Sequence, residues 1–240
     1  MHRRGWLILL LLTLAGVIAA GLAGWRTLRS LPRDRKVVEW IYKPGTHPEW
    51  SLPAGTRCPG APFQFPTDGF IGYLWDDSFR PGHRHTGLDI FGGEQPGVTP
   101  VYAAYDGYLT RLPDWKSSLI IRIPADPLQP ERQIWNYYTH MADPGGSSLI
   151  DAAYPPGSRE VFVAAGTLLG RQGNYSGTPG SPVGVHLHFS IVKDDGQGGF
   201  LNESRIANTL DPSPYFGMHV DANKPNEEIP NCVTADDPAP

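Results

Sequence analysis

Two histidines two residues apart, His186 and His188, open the run His186-Leu187-His188-Phe189. In an extended strand the side chains at i and i+2 share a face, so both imidazoles are expected to enter one small volume. Upstream, His85-Thr86-Gly87-Leu88-Asp89 sets a histidine and a carboxylate four residues apart, again one face of a strand. His83 shares that face, and spacing alone leaves it open as a further ligand. Two imidazole nitrogens and one carboxylate oxygen make a three-ligand zinc site with an open fourth position, the pattern of catalytic rather than structural zinc. A third candidate, His140, closes Trp135-Asn136-Tyr137-Tyr138-Thr139-His140-Met141, with Tyr138 and Asn136 expected on its face. Taken singly, each motif has a plainer reading: a chance pair of surface histidines, a turn residue, or an aromatic cluster capped by a solvent-facing histidine. Together in one chain, they favour a metal.

The elements that must position these residues are short. Among 240 residues there are 28 glycines and 25 prolines, and no stretch after residue 30 keeps a helical apolar period for long. The stronger strand candidates are 118–123, 133–141, 160–169 and 185–192. Asp106-Gly107, Asp143-Pro144-Gly145-Gly146, Pro155-Pro156-Gly157 and Asp195-Gly196 supply turns between them. The reading is an all-β, antiparallel sheet or sandwich over residues 61–217. The glycine-rich stretch Gly173 to Gly184, just before the histidine pair, is a loop able to wall a cleft. With 24 acidic and 20 basic residues the chain has no basic footprint for nucleic acid. Only Cys58 and Cys232 are present, which excludes a cysteine zinc site. They could form one disulfide in an oxidising compartment or remain two thiols.

Residues 1–25 read as a transmembrane anchor or a signal peptide. Gly5 to Trp25 carries no charge and is long enough to span a bilayer as a helix, with Trp6 and Trp25 at the expected interfaces. His2-Arg3-Arg4 and the small residues at Gly21-Leu22-Ala23 suit a cleaved signal instead. Length and the flanking tryptophans favour an uncleaved N-terminal transmembrane helix. Residues 26–60 read as a basic, then Pro- and Trp-containing stalk, and 218–240 as an acidic, Pro-rich tail.

Five ordered segments carry a family resemblance. His85-Thr86-Gly87-Leu88-Asp89 resembles H-x-G-x-D, Val101 to Gly107 resembles V-x-A-x-x-x-G, and Tyr138-Thr139-His140-Met141 resembles Y-x-H-L. Val163 to Gly170 resembles V-x-x-G-x-x-I-G, and His186-Leu187-His188-Phe189 resembles H-L-H-F. From about Phe65 to Tyr215 the chain is similar to the M23 zinc metallopeptidases of the lysostaphin and LytM type, which cut peptide bonds in bacterial peptidoglycan. The resemblance implies a lysostaphin-like fold and one Zn2+ per chain, held by His85, Asp89 and His188. It also implies His140 and His186 as catalytic histidines and a peptidoglycan peptide as substrate. Departures fall in expanded segments: the Pro-rich stretch Ile123 to Arg132, the region from Asp143 to Glu160, and the loop before His186. These are expected to be cleft-wall loops that set substrate preference.

One alternative is a non-catalytic LytM-like module that binds cell wall or activates an amidase; such modules lack metal-site residues, and all five are present here. Another, a lipoyl-type β-sandwich carrier, leaves the histidines unexplained and has no lysine at a hairpin tip. A peptidoglycan substrate puts the domain outside the bacterial cytoplasmic membrane, on a single-pass anchor or secreted if residues 1–23 are removed. Arg26, Arg29, Arg33, Arg35 and Lys36 follow the span and on charge alone would keep the domain inside; the chemistry is given precedence.

Overall fold

The computed structural model of the chain describes residues 12–18, 21, 34–77, 82–93, 95–218 and 232. Short β-branched and aromatic runs between glycine and proline turns form eleven strands: β1 Ser51–Leu52, β2 Gly69–Tyr73, β3 Leu88–Phe91, β4 Pro100–Tyr102, β5 Gly107–Thr110 and β6 Leu119–Ile123, then β7 Ile134–Thr139, β8 Val161–Val163, β9 Leu168–Arg171, β10 Leu187–Lys193 and β11 Thr209–Leu210. All the pairings are antiparallel. One sheet runs in the order β1-β2-β3-β10-β7-β6-β5-β8, with β11 on β10, and β4 pairs with β9 separately. The antiparallel β architecture is as expected, although residues 160–169 are two strands rather than one. A turn at Ala164–Thr167 separates β8 from β9, and Gly166 takes its left-handed position at φ 82°.

β10 is the organising strand. Along one edge it pairs with β3 and then with β11; along the other it pairs with β7 over six residues. Its alternation separates two environments. Leu187, Phe189 and Ile191 enter the main core with Phe63, Phe65, Tyr138 and Phe216. Val192 joins a smaller cluster with Ile120, Trp135 and Tyr137. His188 and Ser190 alternate with the core residues, so they belong to the second face. The large buried Tyr138 has its hydroxyl satisfied by the Ala104 backbone N–H at 2.9 Å.

The segment expected to be a stalk is partly an element of the fold. Residues 34–42 are helical. Val37 and Trp40 are buried against Phe70 and Phe91 of β2 and β3, with Trp50 and Tyr73 packed around them. The Tyr73 hydroxyl donates to Asp34 at 2.9 Å. Cys58 and Cys232 are joined in a disulfide with a Cα–Cα distance of 5.2 Å, tying position 232 of the tail to the domain. The rest of the tail beyond Met218 lies outside the described residues, as does most of the expected transmembrane span 1–25. Among the described residues no helix is long and apolar enough to cross a membrane.

Candidate metal centre

The register of three neighbouring strands builds the site. His188 faces Asp89 across the β10–β3 pair and Thr139 across the β10–β7 pair, giving the cross-strand row Asp89, His188, Thr139. His85 is not on the strand, as its spacing had suggested. It sits in the loop just before β3 and is held there by its own backbone, which exchanges hydrogen bonds with residues 76 and 77. Gly87 permits the close approach of β3 to β10. A Cβ there would lie 2.1 Å from the Phe189 carbonyl oxygen and 2.6 Å from Ser190 Oγ.

His140 also departs from strand alternation. A regular continuation of β7 would send it to the core side with Tyr138. Instead His140 takes φ 70°, a left-handed conformation that costs a histidine roughly 1–2 kcal/mol. Its ring stands 4.4 Å, centroid to centroid, from that of His186 and 6.2 Å from that of His188. His186 is placed by a bridge to Gly173 and by stacking on Phe91, with centroids 4.9 Å apart.

Backbone carbonyls assign the tautomers. Nδ1–H of His85 donates to Leu74 O at 2.8 Å, Nδ1–H of His186 to Gly184 O at 2.7 Å, and Nδ1–H of His140 to Tyr175 O at 2.7 Å. In each neutral ring, Nε2 is then the lone-pair nitrogen. His188 is oriented the other way, with Nε2 2.8 Å from Ser190 Oγ and Nδ1 turned inward.

The inward atoms converge. Asp89 Oδ1 lies 3.0 Å from His85 Nε2, 2.7 Å from His188 Nδ1 and 3.5 Å from His186 Nε2, and the two ligand-type nitrogens are 3.0 Å apart. His85, Asp89 and His188 are all buried and could together hold a metal ion. Zinc bonds of about 2.0–2.1 Å to nitrogen and oxygen in tetrahedral geometry put donors roughly 3.3 Å apart. The observed triangle reaches that with an opening of a few tenths of an ångström. The donor set, two imidazoles and a carboxylate oxygen, suits zinc. Burial lowers His85, but the Asp89 carboxylate outweighs it and holds the ring above its ordinary value, so a cation would bind there in exchange for a proton. Burial alone would raise the Asp89 carboxyl, but the neighbouring His85 and His186 rings hold it well below the usual carboxylate range. Burial lowers His188, and pushes His186 down to about 3, against the pull of Asp89 in each case. His83, left open by spacing, is not part of this donor set; its ring lies 6.4 Å from that of His85, on the cleft wall.

The five histidine and aspartate positions open into a cleft of about 500 Å3. Tyr175, Ser176, Gly177 and Val183 line it, as expected of the loop before His186. No residue of 124–132 or 143–160 does, which corrects the expectation that those segments form the cleft walls. The Pro-rich loop belongs to the far end of β6 and β7, where Asp126 pairs with Arg132 and accepts from the Tyr215 hydroxyl at 2.8 Å. The lining also includes residues the sequence reading did not single out as site residues: Ser117, Ser118, Thr139 and Tyr137, and Glu203 from the loop between β10 and β11. Ser190 was readable by one more step of the i+2 alternation from His188.

No protein-family model matches this chain, and no curated protein does. Solved structures are similar. A LytM protein from Ruminococcus gnavus is 26% identical over 54% of this chain and 45% of its own length, with a TM-score of 0.36. The catalytic domain of the prophage-encoded M23 protein EnpA from Enterococcus faecalis, in a mutant form, is 23% identical over 63% of this chain and 96% of its own, with a TM-score of 0.35. Lysostaphin is 21% identical over 62% of this chain and 50% of its own, with a TM-score of 0.39. The chain thus spans about half the length of the first and third.

Proposed function

We propose that this chain is an M23-type, zinc-dependent endopeptidase that hydrolyses peptide bonds in bacterial peptidoglycan, in cross-links or stem peptides. The observation that carries this reading is the convergence of His85 Nε2, His188 Nδ1 and Asp89 Oδ1, within 3.0 Å of one another, beside the paired rings of His140 and His186. The full set of five residues weighs against a non-catalytic module.

When bound, zinc would act as a Lewis acid on the scissile carbonyl and lower the pKa of an attacking water. The protein's own part is orientation and proton handling. Leu74 O and Ser190 Oγ fix the two ligand rings so that their lone pairs meet at Asp89. His140 is half-buried at the cleft and donates Nδ1–H to Tyr175 O, which in the neutral ring leaves Nε2 as the lone-pair nitrogen. That nitrogen can accept the proton of the water and return it to the leaving amine. The imidazolium formed in between lies where it can stabilise a developing oxyanion. His186, kept neutral by burial, stands beside it with a second unprotonated Nε2.

Metal analysis of the purified protein tests the reading, with the expectation of one zinc per chain. Stoichiometric zinc absent from both the isolated and the zinc-reconstituted protein would overturn it. We also place the domain outside the cytoplasmic membrane, where the substrate is and where a Cys58–Cys232 disulfide persists. Protease added to intact spheroplasts should digest the domain; protection would contradict that placement.

A further inference from the structure

Glu203 has no assigned role, yet it lines the catalytic cleft. It is half-buried in the loop between β10 and β11 and lines the same cleft as His140 and His186. Among the described residues lining the cleft the only carboxylates are Glu203 and the ligand Asp89, and none is a lysine or arginine. Glu203 makes no hydrogen bond or ion pair with any described residue. Its charge is nevertheless felt by Tyr137, whose hydroxyl is raised above its ordinary range, first by burial and then by this carboxylate. The Tyr137 hydroxyl donates to Ser118 Oγ at 2.9 Å, and Ser118 Oγ lies 2.7 Å from Thr139 Oγ1, which is the cross-strand neighbour of His188. A polar shelf therefore runs from the metal ligands to a carboxylate that has no partner among the described residues.

A half-buried anion that the described residues leave unpaired is suited to a substrate cation that completes it. Resting on the peptidase reading above, we propose that Glu203 is a specificity residue, and that it receives a free ammonium group carried by the peptide near the scissile bond, as on the diamino acid of a stem peptide. A neutral chain such as oligoglycine offers nothing for it. The shelf hydroxyls of Ser118 and Thr139 would accept or donate to the peptide backbone beside that group.

The test uses a cross-linked stem-peptide dimer with its diamino-acid amine free, and the same dimer after N-acetylation, which removes the charge and adds a small neutral acyl group. Their dissociation constants are measured by calorimetry on the zinc-loaded His140→Ala protein and on the same protein carrying Glu203→Gln. Cleavage of both dimers by the unsubstituted protein is followed separately. The expected result is that the free amine binds on the order of fivefold more tightly, that the difference shrinks with added salt, and that Glu203→Gln removes it. Equal binding of the two dimers, or a preference that survives Glu203→Gln, overturns the assignment. Failure to cleave either dimer bears on the peptidase reading alone, because the binding ratio is read without turnover.

Discussion

Asp89 and His188 are directly opposed in the β3–β10 register, and their side chains meet at 2.7 Å between Oδ1 and Nδ1. This pair places the site on the rigid centre of the sheet, since β10 is held by β3 on one edge and β7 on the other. Sites built on paired strands keep their geometry better than sites carried by loops alone.

The division of roles among the histidines gives the first prediction. His188→Ala and His85→Ala remove a donor from the triangle and should lose stoichiometric zinc. His140→Ala and His186→Ala should retain it and lose turnover by at least about 100-fold, the usual scale of an acid–base group. Metal analysis of the four purified variants decides; zinc retained by the His188 variant would sink the assignment.

Ser190 holds the outward nitrogen of His188 at 2.8 Å and is fully buried. Ser190→Ala frees that ring to rotate without touching the ligand atoms. Zinc affinity should fall by about 10-fold or more, in line with other residues that orient metal ligands. Competition against a zinc-binding dye reads this directly, and an unchanged affinity would show that Ser190 does not orient the ring.

Gly87 is required by contact rather than by backbone conformation. A methyl at this position would meet the Phe189 carbonyl oxygen, which cannot move without disturbing the β3–β10 pair. Gly87→Ala should destabilise the fold by about 1–3 kcal/mol and displace Asp89 from His188, so that both denaturation midpoint and zinc affinity drop. A variant with wild-type values of both would refute the close-approach argument.

The Cys58–Cys232 bond closes a segment with a sequence separation of 174, which confines the unfolded chain strongly. Reduction, or Cys58→Ser, should lower stability by about 2–5 kcal/mol in denaturant titrations while leaving zinc bound under native conditions. No change in midpoint on reduction would mean the bond contributes nothing to the fold.

Much of the site was legible because it obeys strand alternation. His186 and His188 have i+2 spacing, Ser190 continues it, and Asp89 follows from β3. His85 was legible by identity but not by position, since a loop residue has no period. The placement of His140 was hidden for a different reason: φ 70° reverses the face that alternation assigns, and no sequence feature announces it. The Pro-rich loop was misplaced although the strand itself held the answer. It enters β7 at Ile134, while His140 follows the other end at Thr139, so six residues of strand, about 20 Å, separate them. Glu203 joins the cleft through the loop between β10 and β11, a long-range contact that local patterning does not encode. The helix at 34–42 was likewise obscured because its short apolar face, Val37 and Trp40, has meaning only against Phe70 and Phe91.

The central claim is that His85, Asp89 and His188 hold a zinc ion on which hydrolysis depends. Release of soluble peptide from purified peptidoglycan tests it most directly, followed before chelation, after chelation, and after one equivalent of zinc is restored. The account predicts that release stops with the chelator and returns with zinc. Release that continues unchanged in the zinc-free protein would contradict it.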